Sequence, residues 1–233
     1  MTRIEPPTPP SGTRLVLEAV SRASLAAVPI AGGAAVELFQ AVTTRGRAER
    51  MDRWIQDVCD ELERLRVSIN TLHQSPGFLD AIGPAARAAV ETADAEKAEA
   101  LRNAVLNSTI DPDVAADRNA ILLSILVGLT PTHLRLLQLF NDPPAWFRER
   151  SLPLPNITFG SQLGIIEKAI PGLAADPVLL RRAAADLNQE GLSTISLQTN
   201  MSGGGLLESR TTILGDALLR FITAPQRDSG SGN

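Results

Sequence analysis

The chain has no tyrosine, and aromatic residues make up only 3% of its 233 positions. Its core must therefore come from Leu, Val, Ile and Ala. Ala and Leu are strong helix formers, so the composition predicts a mainly helical protein. Cys59 is the one cysteine, which excludes an internal disulfide. A buried lone thiol most often serves as a small hydrophobe. His73 and His133 are the two histidines, and with one cysteine they form no recognisable set of about four zinc ligands. Basic charge is not in excess: the formal net charge is −4, so no global field draws nucleic acid. The opening MTRIEPPTPPSG lacks the apolar stretch of a signal peptide. The most apolar run, AILLSILVGL at 120–129, is too short for a bilayer, which needs roughly 20 apolar residues. These absences together predict a cytoplasmic protein. Arg outnumbers Lys, as it does in GC-rich bacterial genomes.

Catalytic signatures are missing too. No G-x-S-x-G elbow, G-x-x-x-x-G-K-[ST] loop or G-x-G-x-x-G loop occurs. Cys59 and His73 lie fourteen residues apart. On one straight helix that is about 21 Å, too far for a nucleophile–base pair. Gly203-Gly204-Gly205 reads as a flexible turn tip, because a phosphate cradle needs a helix N-terminus and usually a lysine beside it. The acidic cluster Asp57, Asp60, Glu61 and Glu63 is interleaved with Arg53, Arg64 and Arg66 at helical spacing, which is a solvated ion-pair face. The sequence thus supplies no catalytic residue, metal site, cofactor or small-molecule substrate.

What is present is organised around Arg47 to Leu72. Met51, Ile55, Val58, Leu62, Leu65, Ile69 and Leu72 are spaced 4, 3, 4, 3, 4, 3, an a/d repeat over three heptads. This predicts one long amphipathic helix, with Trp54 and Cys59 beside its seam. Such a seam also self-associates, so a dimer through Met51–Leu72 is one expectation. Before it, 1–12 reads as a disordered Pro-rich lead-in, Arg14–Val28 and Ala34–Val42 as helices, and Thr43–Gly46 as a turn. After it, Ser75-Pro76 starts a helix that Gly83-Pro84 kinks or splits, Ala95–Asn107 forms another, and Asp111-Pro112 caps a buried helix ending at 129. The whole of 13–129 reads as an N-terminal helical bundle.

A new unit opens at Thr130-Pro131. It reads as a helix over Thr132–Phe140, a Pro-rich loop to Pro155, and helices over Gln162–Ile170 and Asp176–Glu190, the second closed by Gly191. A strand over Ile195–Asn200, a tip at Ser202–Gly205, a return strand over Leu206–Leu214 and a helix over Asp216–Ile222 complete it. The tail 225–233 is polar. LNQEGL at Leu187–Leu192, then SLQTN, GGG and RTTILGDALLRFI, resemble the end of a winged-helix domain, with Thr212–Leu218 matching its "Thr-x-Leu-Gly-x-x-Leu" phrase. The resemblance covers about the last 95 residues and implies a winged-helix-like α+β unit over 130–224 with one β-hairpin.

If that unit reads DNA, Arg181, Arg182, Asn188 and Gln189 on its third helix, with Arg210 near the wing, are the candidates to reach phosphates and base edges. Asp176, Asp186, Glu190 and Glu208 stand against them. If the unit contacts protein, an uncovered apolar patch around Trp146 and Phe147 in the Pro-rich loop is expected. The layout of AEALRNAVLNSTI, LVGLTPTHLRLLQLF and the wing segment resembles bacterial proteins of the abortive-infection alpha type, implicated in halting phage growth. VPIAGGAAVELF resembles the opening of helical-bundle domains that permeabilise membranes, which implies a bundle able to release Leu15–Val42. Three functions follow: a non-enzymatic interaction protein in phage defence, a DNA-binding regulator, and a membrane-active effector. The first leads, with a protein partner or self-association.

Overall fold

The computed structural model describes residues 34–68, 72, 75–109 and 116–225, with side chains described from 44 onward except at 116. The expected lead-in, the Arg14–Val28 helix, His73, the Asp111-Pro112 cap and residues 226–233 of the tail lie outside the described residues. Eleven helices and one two-stranded antiparallel pair are found among those described, so the fold is mainly α. The chain divides into two compact units, Met1–Leu123 with Ile222–Asn233, and Ser124–Phe221.

In the first unit, α1 (Ala34–Arg64) runs straight through the Thr43–Gly46 segment that the sequence suggests is a turn. It also stops eight residues short of Leu72. Arg66 adopts φ 59°, its N–H bonds to the Glu63 carbonyl at 2.9 Å, and the Val67 N–H bonds to the Leu62 carbonyl at 3.0 Å. That pair of bonds is a Schellman ending, with Arg66 at the left-handed position usually held by glycine. Trp54, Ile55, Val58, Cys59 and Leu62 are buried. α2 (Pro76–Glu91) and α3 (Ala95–Asn107) pack on α1. α2 is capped by Ser75 and carries Pro84 inside a single helix that Gly83-Pro84 does not split. Asn103 and Asn107 each donate a side-chain N–H, at 2.9 Å, to the carbonyls of Ile222 and Thr223, which fixes the end of the described chain on this unit. Burial, then the neighbouring Asp60 and Glu63 carboxylates, push the Cys59 thiol pKa up, as suits a structural side chain.

α4 (Ala116–Gly128) leads from the first unit to the second. There α5 (Pro131–Asn141) is followed by α6 (Pro143–Glu149), β1 (Phe159–Ser161), α7 (Gln162–Ala169), the single turn α8 (Pro171–Ala174) and α9 (Pro177–Gln189). Then come β2 (Asn200–Ser202), the single turn α10 (Gly203–Leu206) and α11 (Ile213–Ile222). The two strands bracket α7 to α9 in the chain.

The stretch expected to be a Pro-rich loop forms α6, because Asp142 caps it by accepting the Ala145 N–H at 2.9 Å and Pro143 suits its first turn. Trp146 and Phe147 are then 5% and 1% exposed, so they are core residues and do not themselves form an uncovered patch. The strands also pair differently from the expected hairpin. β2 runs antiparallel to β1, with Gly160 opposite Met201, and the Gly203–Leu206 tip coils into a helical turn. Of the expected pairing, the bridge between Ser193 and Thr211 is present, flanked by Thr194 N–H to Arg210 carbonyl at 2.8 Å and Thr212 N–H to Leu192 carbonyl at 3.0 Å. Beyond it, side chains take the backbone groups a return strand would use. Asn188 pairs with Ile195, and Gln162 Oε1 accepts the Ser196 N–H at 2.7 Å.

Candidate functional site

The third long helix of the second unit, α9, carries most of the residues singled out for DNA. Asp176 starts it, accepting the N–H groups of Val178 and Leu179 at 3.2 and 3.0 Å, and Pro177 occupies the first helical position. That start sets the helical phase. Leu180, Ala183, Ala184 and Leu187 turn inward and are buried. At 100° per residue, Val178 lies about 200° from Leu180, on the opposite side. Val178 is 69% exposed and Leu179 45%. Gly191, at φ 69°, closes the helix, with its N–H on the Asn188 carbonyl and the Leu192 N–H on the Leu187 carbonyl.

The five DNA candidates have different fates. Arg181 and Gln189 are exposed on α9. Arg182 is also exposed, but its Nε donates to Asp186 Oδ2 at 2.8 Å, one helical turn on. Asn188 is used internally. Its Oδ1 accepts from the Ser193 hydroxyl at 2.7 Å and the Ile195 N–H at 2.9 Å, and its Nδ2 donates to the Ile195 carbonyl at 2.8 Å. Arg210 is used the same way. Its Nη2 donates to the Gly205 carbonyl at 2.6 Å, contacts Met201 Sδ at 3.4 Å and lies 3.5 Å from Glu208 Oε2. Two of the five candidates therefore hold the segment after α9 in place, and a third is neutralised by a neighbour.

Beside them the fold brings together His133, Asp186 and Glu190, which the sequence does not link. His133, in the first turn of α5, accepts the Thr130 backbone N–H on Nδ1 at 3.0 Å, so it caps its own helix. Its side chain is 10% exposed, and Nε2 faces Asp186 Oδ2 across 3.4 Å without hydrogen-bond geometry. The Arg182 hydrogen bond holds the Asp186 carboxyl below the usual carboxylate range, partly opposed by burial, with a smaller contribution from His133. A cleft of about 350 Å³ opens here, lined by His133, Arg182, Asp186, Gln189, Glu190 and the C-terminal turn of α4 at Ser124 to Gly128. Its polar inventory sets two carboxylates, one side-chain amide and the negative end of a helix against two donors, the Arg182 guanidinium and the His133 Nε2–H. A sequence signal for this cleft existed in Asp186 and Glu190, one turn apart on α9, but without the fold nothing linked them to His133.

No group of three or more His, Cys, Asp or Glu able to hold a metal ion occurs among the described residues. No single helix among them is long and apolar enough to cross a membrane. One bent pair, Asp117–Gly128 with Pro131–Asn141, passes on length and composition, yet Leu122, Leu126, Leu136, Leu137 and Phe140 within it are buried. Comparison with protein-family models, with curated proteins and with solved structures finds no match to this chain.

Proposed function

We propose that the protein is a non-enzymatic binding protein that acts by contacting a protein partner through its winged-helix-like unit. The observation that carries this reading is the outward side of α9: beside Arg181 and Gln189 it exposes the apolar Val178 and Leu179, pairs Arg182 with Asp186 and ends on Glu190, a mixed surface where a DNA reader sets cations and amides toward phosphates and base edges. The charge count agrees. From Ser124 to Phe221 there are eight Arg plus Lys and eight Asp plus Glu, so the unit has no electrostatic footprint for a polyanion. A cytoplasmic location and a phage-defence setting belong to the same reading, the latter supported by the resemblance in layout to the abortive-infection alpha type.

The test is affinity capture on the intact chain and on a Val178→Ser, Leu179→Ser variant, each with and without nuclease treatment. Proteins recovered with the wild type, kept after nuclease and lost with the variant are the expected result. Capture that disappears with nuclease, and is indifferent to the variant, would overturn the reading.

A further inference from the structure

Resting on the protein-partner reading, we propose that α9 receives a helical partner segment that sets a basic side chain into the His133–Asp186–Glu190 cleft and an apolar side chain against Val178 and Leu179. Charge complementarity selects the occupant. The cleft offers the carboxylates of Asp186 and Glu190 and the C-terminal turn of α4, where the helix dipole is negative. His133, nine-tenths buried, accepts the Thr130 N–H on Nδ1, so its Nε2 is the N–H side and faces Asp186, which leaves Glu190 as the open carboxylate. The protein already places one guanidinium there: Arg182, with a side chain 76% exposed, reaches Asp186 from the solvent side. Glu190 is exposed, and no cation among the described residues pairs with it. A partner's arginine or lysine can therefore take Glu190 directly and share or displace Arg182 at Asp186.

Spacing selects the form of the partner. Leu179, Arg182, Asp186 and Glu190 follow one another at 3, 4 and 4 residues, so they share one side of α9. The apolar end and the first carboxylate are seven residues apart, about 10.5 Å along the axis. A partner helix with an apolar anchor and a basic residue one heptad apart matches both ends. A phosphate backbone would meet the apolar Val178–Leu179 end and two carboxylates there, with Arg182 already engaged by Asp186.

The probe is an Ala-rich helical peptide with leucines in its first turns and arginines one heptad later, titrated by fluorescence anisotropy onto the full chain at low and physiological salt. The arginine peptide binds, and its glutamate counterpart does not. Glu190→Gln, an exposed change, weakens binding about 3–10-fold, Asp186→Asn does at least as much, and added salt weakens the wild-type complex. Equal binding of the arginine and glutamate peptides, or unchanged binding by Glu190→Gln, would overturn the proposal. Failure of the peptide alongside nuclease-resistant, α9-dependent capture rejects this occupant and leaves the protein-partner reading standing. Tight binding of duplex DNA by the same preparation rejects both.

Discussion

The side-chain amide of Asn188 pairs with the backbone of Ile195 in both directions, accepting its N–H at 2.9 Å and donating to its carbonyl at 2.8 Å. The amide stands where a neighbouring strand would stand, and it anchors the segment leaving α9. Asn188→Ala leaves both backbone groups, and the Ser193 hydroxyl, without this partner. It is expected to cost about 1–3 kcal/mol in urea unfolding. Unchanged stability would show that the amide is available for an external ligand. Residue type alone could not separate these roles, because asparagine serves base edges and turns with the same donor and acceptor.

Three glycines that look alike in the sequence differ sharply in space. A Cβ on Gly203 would run into the Ile157 carbonyl, and one on Gly215 into the Leu192 carbonyl, whereas Gly204 has nothing within 4 Å. Gly203→Ala and Gly215→Ala are expected to lose about 3 kcal/mol or to misfold. Gly204→Ala should change stability by less than about 1 kcal/mol. Thermal unfolding of the three variants checks this. The GGG run reads in sequence as a flexible tip, but its first member is fixed by close approach of two backbones, a tertiary fact.

Arg66 holds a left-handed conformation at the end of α1, where a side chain costs roughly 1 kcal/mol that glycine avoids. Arg66→Gly is therefore predicted to stabilise the first unit by about that amount, and a destabilised variant in urea titration would contradict the Schellman assignment. This position also explains why the heptad pattern predicts a longer helix than forms. Arg66 is a good helix former inside an unbroken heptad, so nothing local announced the stop. At α9 the same ending carries Gly191, and that boundary was legible. The helices of the second unit that begin with a capping residue and proline were legible for the same reason, whereas α6 was missed because Asp142-Pro143-Pro144 reads equally well as a loop.

Acid should loosen the protein through two carboxylates. The Arg64 hydrogen bond lowers the Glu61 pKa and the Arg182 hydrogen bond lowers that of Asp186. A depressed folded pKa means the unfolded chain takes up the proton first, so each contribution is complete above the unfolded value near 4 and is lost as pH falls through the folded one. Glu61→Gln should flatten the stability profile below about pH 4 and leave its shape at neutral pH unchanged. An unaltered acid limb would contradict the assignment.

Whether α9 faces a protein or a nucleic acid is decided by titrating the intact chain with mixed-sequence duplex DNA from low to physiological salt. The expected result is no binding beyond a weak association that vanishes well below physiological salt. Tight binding that falls steeply with salt, and is lost on Arg181→Ala with Arg182→Ala, would count phosphate contacts on α9 and contradict it.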